Sequence, residues 1–327
     1  MVTTQETRNE KPRYMEIMEE DVQAALTVQH VILLESRKIL DDLGFVEVLA
    51  PVIGPASDPG IRGAKRASFD YYGEQYKVMS SIILYKQALV RTFKNVYAFA
   101  PNVRLEPLSN ANSDRHLCEF YQIDLEMREK TMYDVMEVTE LFLDRLFYKV
   151  KLFCGNILEK YNKEFAVPRI PFPRIPYSKV FVIANSLGFP MTFGEEIPAE
   201  VEMELSKQST RPFWIVDYPT GSRGFYYKEN PEDSSKLLSM DLIYPYGFGE
   251  ASSGGERETN VNRILRLMKE SGEKIEEYSW YLEMLRTDGK KSAGLGLGVE
   301  RLTRFVMGFE TIDKSTAFPK KPGKFSI

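Results

Sequence analysis

Hydrophobic and polar positions alternate along this chain in two rhythms. From Asp21 to Leu43, the residues Ala25, Val28, Ile32, Ser36, Ile39 and Leu43 fall at spacings of three and four, while Leu26, Leu33 and Leu40 recur every seven. That spacing predicts an amphipathic helix, closed by Gly44. Its two apolar stripes fit either one wide core face or burial on two sides, the second against another subunit. From Phe120 to Met127 the period is two, so Tyr121, Ile123, Leu125 and Met127 face one way and Phe120, Gln122, Asp124 and Glu126 the other. One face is core, and the other gathers an aromatic ring, an amide and two carboxylates. The same alternation in the preceding strand puts Val103 and Leu105 inward and Arg104 and Glu106 on the polar side. Two antiparallel strands joined by a long loop are expected across residues 96–127.

Other segments fill in around this pair. Phe45 to Ala50 reads as a strand running into Pro51. Residues 54–76, rich in Gly, Pro and Asp and carrying Arg62, Lys65 and Arg66, read either as a loop over a pocket or as ordinary solvated surface. A strand at Gln75 to Met79 is followed by Ser80 and Ser81 as the cap of a helix from Ile82 to Phe93. The stretch PRIPFPRIP at 168–176 is too rich in proline for a helix or a central strand, and it marks an insertion at about 150–212. Strands are predicted at Pro212 to Tyr218 and Leu238 to Tyr244, and helices at Asn260 to Ser271 and Lys274 to Leu285. A glycine-interrupted strand, Ala293 to Gly298, delivers Val299 to Met307 as a helix. The result is an α+β chain without internal repeats: a polar tail at 1–20 and a single domain at 21–327.

Composition narrows the function more than the fold. With 327 residues, 43% hydrophobic and 28% charged, the chain can bury a large core. No apolar run approaches the roughly 20 residues that span a bilayer, and the start lacks a signal-peptide core, so no membrane role and a cytoplasmic location are expected. Two cysteines and two histidines cannot make a common zinc site or a disulfide framework. A net charge of -4 argues against a broad nucleic-acid surface. Two nucleotide motifs fail: TDGKKS at 287–292 lacks the first glycine of a phosphate loop, where Met284 stands, and GLGLGVER puts Val299 where a dinucleotide fingerprint needs glycine.

The motifs that remain carry a resemblance. VRLE at 103–106, RHLCEF at 115–120 and YQIDLEM at 121–127 resemble motif 2 of class II aminoacyl-tRNA synthetases; GLGLGVERL at 294–302 resembles motif 3, and FVEVLAP at 45–51 resembles motif 1. WIVDYPTGSRGFYYKENPED at 214–233, GEASSGGERE at 249–258 and YLEMLR at 281–286 are similar to the aspartyl and asparaginyl group. The resemblance implies a class II antiparallel sheet flanked by helices, and a homodimer through Asp21 to Pro51. It implies ATP as substrate, with Arg104 on the α-phosphate, Glu106 on the adenine amino group, His116 on the outer phosphates, and Phe120 and Arg301 around the adenine. Arg104, Arg301 and Glu250 would be the catalytic set. Glu250 and Asp241 would hold Mg2+, although YPYGFG lengthens the turn between them by two residues. Ser81, Lys86, Gln122, Asp124 and Arg257 would bind the amino acid. Lys86 goes with aspartate in this group, and Ile83 replaces a polar contact in SSII.

About 20 residues precede the first helix, fewer than the upwards of about 40 that an anticodon-reading OB barrel needs. A core without that barrel resembles the archaeal asparagine synthetases related to aspartyl-tRNA synthetase. The expected reaction is then aspartate and ATP giving an aspartyl adenylate, which ammonia attacks to give asparagine, AMP and pyrophosphate. Aspartate would lie reversed, its α-carboxylate gripped by Lys86 and Arg257, and tRNA would be an unlikely partner. The alternatives are an aspartyl- or asparaginyl-tRNA synthetase core and a non-catalytic binder of nucleotide and amino acid.

Overall fold

The computed structural model describes residues 11–61 and 63–324. Residues 1–10 of the expected tail, and Arg62, lie outside the described residues. From residue 11 the tail is anchored: Arg13 is buried, and its guanidinium donates to the carbonyls of Asp313, Thr316 and Ala317. Helix α1, Glu20–Asp42, forms as its periodicity requires. Ala25, Val28, Ile32, Ser36 and Ile39 are all buried, whereas Leu26 and Leu33 of the second stripe keep part of their surface.

The strands β1 (Val46–Glu47), β2 (Asn95–Val103), β3 (Glu119–Arg128), β4 (Arg174–Pro176), β5 (Phe213–Val216), β6 (Ser239–Tyr244), β7 (Gly249–Glu256) and β8 (Ser292–Gly298) make one sheet of eight. Their order is β1-β2-β3-β8-β7-β6-β5-β4. Pairing is antiparallel except at the two edges, β1 with β2 and β4 with β5. β4 carries Pro176 and sits at an edge, where a proline costs no ladder bond on the open side.

One sheet face is covered by α1, by α3 (Met132–Tyr161) and by α8 (Val299–Met307), which bury Ile123, Leu125, Met127, Leu295 and Leu297 among their apolar side chains. Thr131 starts α3 with a reciprocal cap: its hydroxyl accepts from the Asp134 amide, and the Asp134 carboxylate accepts from the Thr131 amide. Helix α3 runs to Tyr161, into the stretch at about 150–212 that reads as an insertion in the sequence. That stretch contains α4 (Tyr177–Ser186) and α5 (Ala199–Gln208), which close a separate small core with Phe213 and Ile215. No helix among the described residues is long and apolar enough to cross a membrane.

The structure departs from expectation at other places. Residues 54–76 are not all loop: Ile53–Gly54, Ser68–Tyr71 and Glu74–Val78 pair into a small sheet, with Tyr72 and Gly73 both at positive φ in the hairpin turn. The first motif 2 strand ends at Val103, where the β2–β3 ladder stops, so Leu105 is not inward but 45% exposed. Helix α2, Ile83–Leu89, is shorter than the predicted Ile82 to Phe93. Val261–Glu270 forms α6 and Ser279–Asp288 forms α7, the latter preceded by a tight turn at Ile275–Tyr278 where helix was expected from Lys274.

Candidate active site

The face of the sheet away from α1 and α3 floors a cavity of about 880 Å³. Strand register explains how residues far apart in sequence meet there. Asp124 on β3 lies opposite Gly296 on β8, Gly296 opposite Ser253 on β7, and Ser253 opposite Asp241 on β6. Gln122 and Glu126 occupy the flanking rows opposite Gly298 and Gly294. The alternating glycines of β8 leave room for these side chains. A Cβ at Gly296 would stand 2.8 Å from Gln122 Nε2, and one at Gly294 would stand 2.1 Å from Glu126 Oε2 and 2.2 Å from the Leu125 carbonyl.

Arg104, Glu106, His116, Phe120, Glu250 and Arg301 line one end of this cavity. The Arg104 guanidinium lies 5.2 Å from the centre of the Phe120 ring, and its Nε donates to the Ser80 carbonyl. Arg301 points at β7, where Nη1 donates to the Glu250 carbonyl at 3.0 Å and stands 3.2 Å from its carboxylate. Glu106 accepts from the Asn110 amide at 2.8 Å. His116 is paired through Nδ1 with the Ser113 hydroxyl at 2.6 Å. Burial, then Arg301 and Arg115 nearby, push its pKa down to about 3, so the ring is neutral at physiological pH.

Ser81, Ile83, Lys86, Gln122 and Asp124 line the other end. Phe120 and Asp124 are separated by four residues of one strand, roughly 13 Å at about 3.3 Å per residue. Lys86 is 2% exposed; its ammonium donates to Asp124 Oδ1 at 2.7 Å and to the carbonyls of Leu295 and Leu125 at 3.0 and 3.3 Å. Gln122 accepts from the Asn102 amide at 3.0 Å. Asp124 Oδ2 is buried and has no hydrogen-bond partner among the described residues, an unsatisfied acceptor on a residue that lines the cavity.

Two of the expected site residues do not line the cavity. Arg257 is buried against Glu126, donating from Nε and Nη2 to both carboxylate oxygens at 2.9 Å. Lys86 and Arg257 are each paired with a carboxylate, Asp124 and Glu126, while Nη1 of Arg257 is buried without a hydrogen-bond partner among the described residues. Asp241 is 1% exposed and is held by Arg223 and by the Tyr218 hydroxyl at 2.8 Å. The expected pair of magnesium carboxylates does not fit this arrangement. Glu250 faces the cavity and Asp241 does not.

The cavity also contains residues that motif reading passed over. Arg223 stands within the quoted stretch SRGFYY, and Arg115 immediately precedes His116. The stretch expected to be an insertion contributes Glu196, Ile197 and Glu202, and Glu202 accepts from Arg115 at 2.8 Å. Glu300, the neighbour of Arg301, is buried beneath β3 and accepts from the Tyr121 amide through both oxygens at 3.1 and 3.0 Å. Burial pushes its pKa up to about 7. The signal for Glu300 was the unusual acidic residue in an otherwise apolar and glycine-rich motif.

A family described as tRNA synthetases class II (D, K and N) matches residues 4–322. An asparagine–tRNA ligase of Pyrococcus abyssi is 29% identical over 315 residues, 95% of this chain and 71% of that protein. An aspartate–tRNA(Asp/Asn) ligase of Methanopyrus kandleri is 31% identical over 310 residues, 94% of this chain and 70% of that protein. Asparaginyl-tRNA synthetase from Pyrococcus horikoshii, solved with asparaginyl-adenylate, superposes with a TM-score of 0.90 at 28% identity, covering 96% of this chain and 72% of that one. These relatives overturn two expectations. They are named as tRNA ligases, so the ammonia-dependent formation of asparagine is not upheld, and the exclusion of tRNA as a partner falls with it. Motif order, the eight-stranded sheet and the family match agree, and this chain belongs to the class II tRNA synthetases of the D, K and N group.

Proposed function

We propose that the chain is an AMP-forming ligase that activates the α-carboxylate of aspartate or asparagine with ATP and transfers the aminoacyl group to a tRNA. The observation that carries this reading is one cavity with Phe120, Arg104 and Arg301 at one end and Asp124, whose buried Oδ2 has no hydrogen-bond partner among the described residues, at the other. Adenine would lie on the Phe120 ring with Glu106 at its amino edge, and Arg104 would meet the α-phosphate in a charge-assisted bond. The substrate ammonium would satisfy Asp124 Oδ2, with Gln122 and Ser81 beside it. The reactive carboxylate then falls midway, toward the α-phosphate, and catalysis is positioning with charge stabilisation by fixed arginines. The neutral ring of His116 contributes a hydrogen bond to the outer phosphates.

Within this reading Lys86 and Arg257 act on the amino-acid side chain through a network of zero net charge, and this balance is compatible with a carboxylate or an amide. Pyrophosphate exchange with radiolabelled pyrophosphate, run separately with aspartate, asparagine and lysine, tests the proposal. Exchange is expected with aspartate or asparagine and not with lysine, and acid-precipitable aminoacyl-tRNA should form with the same amino acid. Absence of exchange with both four-carbon substrates would overturn it.

A further inference from the structure

The motif resemblance pairs Asp241 with Glu250 around a divalent ion, yet the two carboxylates are held differently: Arg301 meets Glu250 at one carboxylate oxygen, 3.2 Å away, whereas Asp241 is gripped through both of its oxygens. Both oxygens of Asp241 meet the forked guanidinium of Arg223, at 2.5 Å to Nη2 and 3.2 Å to Nη1, and the Tyr218 hydroxyl donates to one of them as well. The same guanidinium donates to Ser253 Oγ at 2.9 Å, ion-pairs with Glu196 at 3.0 Å and lies 3.8 Å from the centre of the Tyr218 ring. Arg223 and Ser253 line the cavity while Asp241 lies behind them.

The β6–β7 register slips between Leu242 and Ile243, which moves Glu250 relative to Asp241 at the lengthened turn noted in the sequence. A bidentate fork on a fully desolvated carboxylate is among the strongest polar contacts a protein makes. A dication drawn to Asp241 would have to displace it and then sit beside the arginine it displaced.

We propose that Arg223 is the cation that occupies Asp241, holding it out of any metal coordination, so that a divalent ion arriving with ATP meets the protein through Glu250. Arg223 is then a positioning residue for the nucleotide end, and Glu196 ties the insertion to it. This inference rests on the activation reading above.

Mn2+ serves as the probe, titrated into the full chain with α,β-methylene-ATP while electron paramagnetic resonance counts free ion. Asp241→Asn, which keeps an oxygen for Arg223, is expected to leave Mn2+ affinity in the ternary complex within about twofold of the parent, while Glu250→Gln weakens it about tenfold or more. Arg223→Gln releases Asp241 and is expected to tighten Mn2+ binding. The urea midpoint of each variant, followed by Trp fluorescence, separates unfolding from loss of a ligand. Equal weakening by Asp241→Asn and Glu250→Gln, no effect of Glu250→Gln, or weaker binding in folded Arg223→Gln would each overturn the inference. A parent chain that binds no nucleotide analogue at all would overturn the activation reading first and this inference with it.

Discussion

Replacing Lys86 with methionine keeps most of the volume of the side chain and removes its charge. At 2.7 Å from Asp124 Oδ1, the ammonium supplies about 6 kcal/mol of gross attraction at an effective dielectric of about 20, most of it offset by the cost of burying both charges. The net worth of the pair is therefore small, but the penalty for breaking it is not. Asp124 is 2% exposed, and Glu126, whose carboxylate stands 3.7 Å from the ammonium, is fully buried. Without Lys86 the quartet with Arg257 carries one uncompensated negative charge, and the carbonyls of Leu125 and Leu295 lose their donor. Leaving a buried charge unpaired costs roughly 3–5 kcal/mol. Asp124→Asn in the same background restores neutrality, so the double variant should be more stable than Lys86→Met alone by about 2 kcal/mol or more. Urea unfolding, monitored at Trp214 and Trp280, reads this as a midpoint shift of about 1 M for Lys86→Met with partial return in the double variant. A shift below about 0.2 M, or a double variant no more stable than Lys86→Met, would refute the charge-balance argument.

Glu300 has a folded pKa near 7 against an ordinary 4.5, so the native state holds a proton that the unfolded chain releases, and stability falls as pH rises from 4.5 through 7. The loss should approach about 3 kcal/mol, and Glu300→Gln should flatten that slope; an unchanged slope in the variant counts against the assignment. His116 has the opposite sign: its depressed pKa means the unfolded state binds more protons below pH 6.5, and stability declines as pH falls toward 3. A triphosphate beside it should raise that pKa, so nucleotide binding near pH 6 should take up a fraction of a proton, detected by calorimetry in buffers of different ionisation enthalpy. Uptake that persists in His116→Asn would place the proton elsewhere. Gly294→Ala should destabilise the fold by about 2–4 kcal/mol, because its Cβ meets the Leu125 backbone carbonyl, while Gly296→Ala meets mainly the movable end of Gln122 and should impair amino-acid binding more than folding. Thermal unfolding and pyrophosphate exchange together distinguish the two, and equal loss of stability in both variants would contradict the reading.

Much of the scaffold was legible because it is local. The spacing of Ala25, Val28, Ile32 and Ile39 dictates a helix with one buried face, and α1 is that helix. The alternation from Phe120 to Met127 separates core from chemistry, and β3 keeps that separation for Phe120, Gln122, Asp124 and Glu126. Less legible were boundaries and pairings set by distant contacts. Leu105 looked inward until the ladder ended two residues earlier, and residues 54–76 looked like loop although a hairpin with its turn at Tyr72 and Gly73 lies within them.

By itself the amino-acid order determined which side chains are available to the site, and on which face of its own strand each one lies, since a pleated backbone leaves no choice about alternation. Only the assembled sheet decided which charges confront one another: Lys86 with Asp124, Arg257 with Glu126, Arg223 with Asp241. Those pairs join residues separated by 38, 131 and 18 positions. Once they are shut away from water, a carboxylate's partner is set by register and distance, and no periodicity in the chain records either.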